Sequence, residues 1–323
     1  MDLTTKYLGL TLPHPIVPSA AQPLTKDLDS LKRLEDGGAS AVVIHSLFEE
    51  QIKVEADTLE HYLEHGTDSF AEALSYFPAQ ETYVLGPDEY VAHIGRAKEA
   101  LGIPVVGSLN GVSTGGWTEY AKLIQDAGAD ALELNVYYIP TDPKLTADMV
   151  DQVYFDILKE VKSKVSIPVA LKTGAFHSSM VNFAVRAEES GASGLTLFNR
   201  FYQPDIDIEE LEVVSHLNLS RAEESLIPLR WIAILREHVA LTLGASTGVQ
   251  NETQARHGGR RRRPHVLRAS PERHPAHRRG PRRDGRLARG ARLRVPRPGA
   301  RQHEPGLLPG AGRVRARELH EGR

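Results

Sequence analysis

Cysteine is absent from all 323 residues. Neither a disulfide framework nor a thiol nucleophile is available, which fits a reducing compartment. No apolar run approaches membrane-spanning length, and the first ten residues lack the basic-then-apolar pattern of a secretion signal. The chain therefore reads as soluble and cytoplasmic, with no membrane partner. Beyond Ala255 lysine, isoleucine, phenylalanine, tyrosine, tryptophan and methionine are missing as well. The formal net charge of −3 conceals this break. Residues 1–255 carry 18 basic and 37 acidic side chains, or −19, whereas residues 256–323 carry 21 arginines against 5 acids, or +16. Two compositions are joined end to end.

What is present in the first of them is a repeat. Gly37-Gly38-Ala39-Ser40-Ala41-Val42, Gly128-Ala129-Asp130-Ala131-Leu132 and Gly191-Ala192-Ser193-Gly194-Leu195 each follow an acidic helical stretch and lead into an apolar run ending in a polar residue. Glycine supplies the left-handed conformation that stops a helix, and a strand buried on both faces is a continuous apolar run. This is the joint of an α/β barrel of the TIM (β/α)8 type, whose active site is built where the strands end.

Read along the chain, residues 5–11 form an N-terminal hairpin closing the barrel floor. Barrel strands follow at 16–20, 41–46, 105–109, 131–136, 169–172, 195–199 and 240–245, the third and fifth entered through Ile103-Pro104 and Ile167-Pro168. Leu28, Leu31 and Leu34 recur at helical spacing behind Asp27, a candidate N-cap. Residues 231–235 are an accessory strand or a helix. Residues 51–90, rich in Glu, Tyr and Phe, are too long for a simple connection and suit a lid or an interface.

The domains expected are a barrel over residues 1–255 and a disordered Arg/Pro/Gly-rich tail over 256–323, so that the barrel lacks a regular eighth strand. An arginine tract without lysine suggests GC-rich DNA translated out of frame. Codons chosen for residues 256–271 and read one base later permit Ala-Met-Ala-Gly-Ala-Asp-Val-Val-His-Met-Cys-Ser-Ala-Leu-Leu-Leu, a fourth copy of the repeat. The alternative is an arm that binds nucleic acid or other polyanions through phosphate contacts. The frame shift is the preferred reading and nucleic acid the disfavoured partner.

The strand ends carry a family resemblance. Pro15-Ile16-Val17-Pro18-Ser19-Ala20, Ser108-Leu109-Asn110-Gly111, Glu133-Leu134-Asn135, Val169-Ala170-Leu171-Lys172, Phe198-Asn199 and Ser246-Thr247-Gly248-Val249, in this order, resemble the dihydroorotate dehydrogenases, and more narrowly their dihydroorotate dehydrogenase-like branch. The resemblance implies an FMN-binding barrel that oxidises a dihydropyrimidine, a step of pyrimidine biosynthesis, by hydride transfer to the flavin. It implies that Lys172 stabilises the reduced flavin, and that Ser19, Ala20, Ser108, Asn135, Phe198, Ser246, Thr247 and Gly248 also contact the cofactor. Asn110, Asn135 and Asn199 would orient a small-molecule substrate, since an amide offers both a donor and an acceptor to an amide-bearing ring. By themselves, a strand-end lysine can reach solvent along its apolar stem and a strand-end asparagine can cap the next loop.

Three departures point away from dihydroorotate itself. Tyr138 stands where the family has a Cys or Ser base, and His45-Ser46 replaces a family lysine after the second strand. Residues 73–78 also replace the family's substrate loop. Tyr138 or His45 is then the expected proton carrier, although His45 also suits a core histidine. His61 and His65, four apart, lack an obvious third metal ligand, so no metal is expected. Gly115-Gly116 before Trp117 suits a loop-to-helix junction. A homodimer is allowed. With half of the phosphate site assigned to the missing eighth strand, weak FMN binding is expected, and the alternative is that the chain is an inactive, frame-shifted product of such an enzyme.

Overall fold

The computed structural model describes residues 3–53, 86–200, 205–207, 212–214, 220–249 and 266–269. The chain divides into two compact units, Met1–His274 and Pro275–Arg323, the second outside the described residues. The first is an α/β barrel of the TIM type. A hairpin of β1 (Thr5–Tyr7) and β2 (Leu10–Leu12) precedes it. The parallel sheet consists of β3 (Ile16–Pro18), β4 (Val42–Val43), β6 (Val105–Asn110), β7 (Ala131–Asn135), β8 (Val169–Thr173), β9 (Gly194–Leu197), β12 (Thr242–Ser246) and β13 (Val266–Ala269). A short β5 (Leu47–Phe48) extends the second strand alongside β6. A separate antiparallel pair, β10 (Asp205–Asp207) with β11 (Glu212–Val214), lies between β9 and β12 in the chain.

Helices follow the strands: α1 (Gln22–Thr25), α2 (Leu28–Asp36), α3 (Pro87–Ala100), α4 (Glu119–Asp126), α5 (Ala147–Lys164), α6 (Met180–Glu189) and α7 (Leu226–Leu235). The side chain of Asp27 caps α2, accepting from Ser30 N at 2.7 Å. Residues 231–235, open between strand and helix in the sequence, lie in α7. The Gly115-Gly116 turn leads into a short helix at Gly116–Thr118 whose Trp117 is buried and donates to Ser113 O at 2.8 Å. Among the described residues no helix is long and apolar enough to cross a membrane.

The repeated joints work as their composition demands. Gly38, Gly128 and Gly191 have φ of 86°, 96° and 97°. Each lets the chain turn back so that the next residue donates to the last helical turn: Ala39 N to Leu34 O, Ala129 N to Ile124 O and Ala192 N to Ala187 O. The polar residue that follows ties the joint to the strand before it. Ser40 N donates to Ile16 O, Asp130 N to Val105 O and Ser193 N to Val169 O. Asp130 adds Oδ2 as acceptor for Val105 N and Lys98 Nζ, both at 2.7 Å. The Gly-Ala-(Ser/Asp) signature thus sets both the turn and the strand register.

Alternation along the strands separates two apolar clusters. Val42, Val105, Leu109, Leu132, Leu134, Leu171 and Leu195 pack outward with the helices. Val17, Val43, Val106, Ala131 and Ala170 pack inward with Tyr7, Leu8 and Leu12, so the hairpin plugs the floor as expected. Among the described residues the interior is therefore filled from below, which leaves the carboxyl ends of the strands for a site.

One expectation needs correction. The sequence reading leaves the eighth barrel position without a regular strand, but Val266–Ala269 lies there, parallel to β12 (Ala245 opposite Leu267) and to β3 (Arg268 opposite Val17). Two facing strand edges leave unpaired N–H and C=O groups, and Val266-Leu267 is the one apolar dipeptide close after Ala255 that can supply the missing backbone. β3 and β4 share no ladder, and Ser40 N, donating to Ile16 O at 3.3 Å just before β4, bridges them. The rest of 256–323 lies outside the described residues, as does most of the 51–90 insertion, including His61, His65 and residues 73–78.

At Gly128 a Cβ would meet only the Lys98 side chain at 3.5 Å, ordinary contact, so the penalty for Gly128→Ala is backbone strain alone. We expect a loss of about 1–2 kcal/mol, read as a lower urea midpoint at unchanged slope.

Candidate active site

The polar strand ends form one row. Register places Asn110 opposite Asn135, Asn135 opposite Lys172 and Lys172 opposite Thr196. Asn199, just past β9, donates from Nδ2 to Asn135 Oδ1 at 2.5 Å and to Val136 O at 3.4 Å. Asn110, Asn135 and Asn199 are all nearly buried. Three amides from three strands, all marked in the sequence, are thereby gathered beside one lysine.

Beneath that row sits a carboxylate that the sequence reading passed over as a site residue. Glu133 is fully buried, accepts from Thr196 Oγ1 at 2.9 Å, and has Lys172 Nζ 3.6 Å from its Oε1. The Lys172 side chain is only 12% exposed, so it does not simply reach into solvent. The signal was there: one glutamate inside the buried strand Ala131-Leu132-Glu133-Leu134-Asn135. A charge in such a strand needs a partner.

The second and third strands supply a further polar group. Ser46 and Ser108 share a hydroxyl hydrogen bond of 2.8 Å. Ser108 is locked through its backbone by Tyr90 of α3, whose hydroxyl donates to Ser108 O and accepts from Ser108 N. Glu49 is a second site-shaping carboxylate missed in the sequence, where nothing distinguishes it from its neighbour Glu50. Nearly buried, it accepts from Val112 N at 2.8 Å, Ser113 N at 3.3 Å, the Ser113 hydroxyl and Lys53, and so holds the loop after β6. Burial pushes its carboxyl up, but these donors outweigh burial and leave it below the usual range.

The two proton-carrier candidates stand apart. His45 turns toward the helices: its ring lies edge-on to Tyr90 at 5.4 Å and 6.1 Å from His93, with Nδ1 3.3 Å from Thr25 Oγ1. Burial, reinforced by the neighbouring His93, pushes its pKa down to about 4. Tyr138 lies in the loop leaving Asn135, half-buried against the outer apolar cluster. Its neighbour Tyr137 donates to Arg200 O at 3.2 Å.

Among the residues matched to a flavin, Ser19 is nearly buried, Ala20 packs on the inner cluster, and Phe198 is buried against the outer one. Ser246, the last residue of β12, is buried, and Thr247 in the loop after it has a φ of 80°. Gly248 has a φ of 70° and donates to Ser220 Oγ at 3.2 Å. A Cβ on Gly248 would lie 2.4 Å from Ser225 N, so only glycine fits this close approach to the start of α7. That bond engages the N–H of Gly248 within the protein. A largely buried cation, flanked by amides and hydroxyls and backed by small residues, is a donor set suited to an anionic, amide-bearing heteroaromatic ring such as a flavin.

The buried histidines set a pH dependence. His45 binds its proton at about 4 when folded and at the ordinary 6.5 when unfolded, so the unfolded state is protonated first as pH falls. His93 and His177 are lowered chiefly by burial and act in the same sense. Stability should be full above pH 6.5 and fall as the pH drops below it, the contribution of His45 to that fall being complete near 4. Chemical denaturation between pH 7.5 and 4 checks this, with a flatter profile expected for His45→Gln.

No protein-family profile matches the chain. Among curated proteins, one named dihydroorotate dehydrogenase B (NAD(+)), catalytic subunit, from Thermoplasma acidophilum is 29% identical over 217 residues, 64% of this chain and 65% of its own. A protein of the same name from Thermoplasma volcanium is 26% identical over 267 residues, 79% of this chain and 81% of its own. A shorter match, 31% over 120 residues, covers 33% of this chain and 36% of a protein named dihydroorotate dehydrogenase A (fumarate) from Limosilactobacillus reuteri. The chain spans between 38% and 65% of the length of the first two curated relatives it matches. In sequence the chain is similar to these dihydroorotate dehydrogenases.

Proposed function

We propose that the chain is an FMN-dependent oxidoreductase of the dihydroorotate dehydrogenase-like kind, acting on a CH–CH bond of a small planar amide or carbonyl substrate. The observation that carries this reading is the single row Asn110, Asn135, Lys172 with Asn199 bonded to Asn135. The names of the relatives point the same way.

When bound, the flavin supplies the hydride acceptor. The chain's own residues do the rest. Lys172 places a cation in a dry strand end, where it stabilises negative charge far better than in water. Asn110, Asn135 and Asn199 orient the substrate ring, whose carbonyl and N–H groups match the two sides of an amide. Ser19, Ala20, Ser108, Phe198 and the loop 246–248 would hold the cofactor. Tyr138, in the loop three residues after Asn135, is the proton carrier of this reading, because the ring of His45 is engaged with Thr25, Tyr90 and His93. A tyrosine is a poor base near neutral pH, so dihydroorotate itself is an unfavourable substrate.

Titrating the purified chain with FMN and following quenching of flavin fluorescence should give saturable binding; none at millimolar FMN would overturn the reading. Lys172→Met should lower kcat/KM for flavin reduction by about 100-fold, the scale seen when one stabilising donor is removed. With dihydroorotate and a dye acceptor, turnover should fall well below that of relatives with a cysteine or serine base. An equal rate would show that Tyr138 is no handicap.

A further inference from the structure

We propose that Glu133 is a positioning residue: a buried carboxylate that keeps the Lys172 ammonium charged and directs it to the strand-end row. The proposal names a residue for the site described above and rests on that reading for its functional consequence.

The argument starts from burial. Glu133 lies mid-strand in β7 and is wholly excluded from solvent, one interior step above Ala131, which belongs to the apolar floor. Lys172 stands on the adjacent strand, one interior step above Ala170, which belongs to the same floor. Either charge alone would be strongly disfavoured there: burial raises a lone carboxylic acid and lowers a lone ammonium until each goes neutral. Together, with Nζ 3.6 Å from Oε1, each favours the charged form of the other.

The carboxylate is also oriented. Thr196, on the strand beyond Lys172, donates to Oε2, leaving Oε1 to face the ammonium. Oε2 thus accepts a hydrogen bond while Oε1 lies within ion-pair distance of the ammonium, and the two neighbours stand on successive strands whose register sets Lys172 opposite Thr196. A carboxylate held only for packing would not need its two oxygens divided between a hydroxyl and a cation. The arrangement has a chemical result. Lys172 can act on a negative charge at the row only while protonated, and Glu133 extends that state to higher pH.

The test uses the full chain labelled with [13Cε]lysine, the Lys172 signal being assigned by its loss in Lys172→Met. The Lys172 signal of the unmodified protein sets the reference titration. In Glu133→Gln the lysine's proton affinity should fall by about tenfold or more, a shift of at least one pH unit in the titration. Thr196→Val keeps both charges and frees only the carboxylate's orientation, so the same signal should move the same way by less. If Glu133→Gln does not fold, Thr196→Val alone decides. An unmoved Lys172 titration in the folded variants overturns the proposal. In FMN-loaded protein the alkaline limb of the kcat/KM profile should shift with the NMR titration. Because the NMR reading needs no cofactor, absence of FMN binding would remove the functional reading and still leave the Glu133 proposal to be judged.

Discussion

Closure of the parallel sheet is the constraint on which everything else here depends. A parallel strand hydrogen-bonds on both sides, and an open end would leave a row of unmet N–H and C=O groups over an open core. The ring avoids this by placing Val266–Ala269 between β12 and β3 and by joining Ser40 to Ile16. Once it is closed, alternation has only one outcome. Every second residue faces a narrow interior, so Ala131, Glu133 and Asn135 share a wall with Ala170 and Lys172. The hairpin residues Tyr7, Leu8 and Leu12 fill one end of that interior. Among the described residues the other end stays open, and there the candidate site lies.

Much of this was legible in the sequence because the same physical problem is solved three times. A helix must end, turn and re-enter the sheet in register, and Gly-Ala-(Ser/Asp) is a compact solution whose glycine, small residue and polar tether each have a separate task. Lys172, Asn110, Asn135 and Asn199 were legible for the related reason that a polar residue ending an apolar run marks a strand's exit. Residues 231–235 stayed ambiguous because Trp231, Ile232 and Ile234 suit strand propensity, and the helix only becomes evident through Leu226 to Arg230 before them. The eighth strand was not legible. Its short Val266-Leu267 core is embedded in arginine and proline, and the force that places it there, the demand of two distant strand edges, has no local signature.

Glu133 and Glu49 show a different limit. Both are acidic residues in a chain segment with 37 of them, and composition alone makes each read as surface. What separates them is burial together with donors gathered from far along the chain: Thr196 and Lys172 for one, Val112 and Ser113 for the other. Only strand order reveals those partners. A glutamate flanked by leucines within a repeat strand was the available hint for Glu133, while Glu49 had none.

The interior of this barrel changes character over a single alternation step, from the apolar floor of Val106, Ala131 and Ala170 to Ser108, Glu133 and Lys172 directly above. Packing could be served more cheaply by continuing the apolar pattern, because desolvating a carboxylate and an ammonium is rarely recovered in full by their attraction. A chain that keeps both charges there retains a cost that folding alone does not require. The charges do not stabilise the floor, which is complete without them, and they do not tie helices to the sheet, since the outer cluster does that with leucine and valine. Their one remaining consequence is electrostatic: a fixed cation, oriented from below, at the edge where the three asparagines converge. On the function proposed above, that is the feature a redox site handling negative charge would need, and it lies in the strands themselves rather than in any loop.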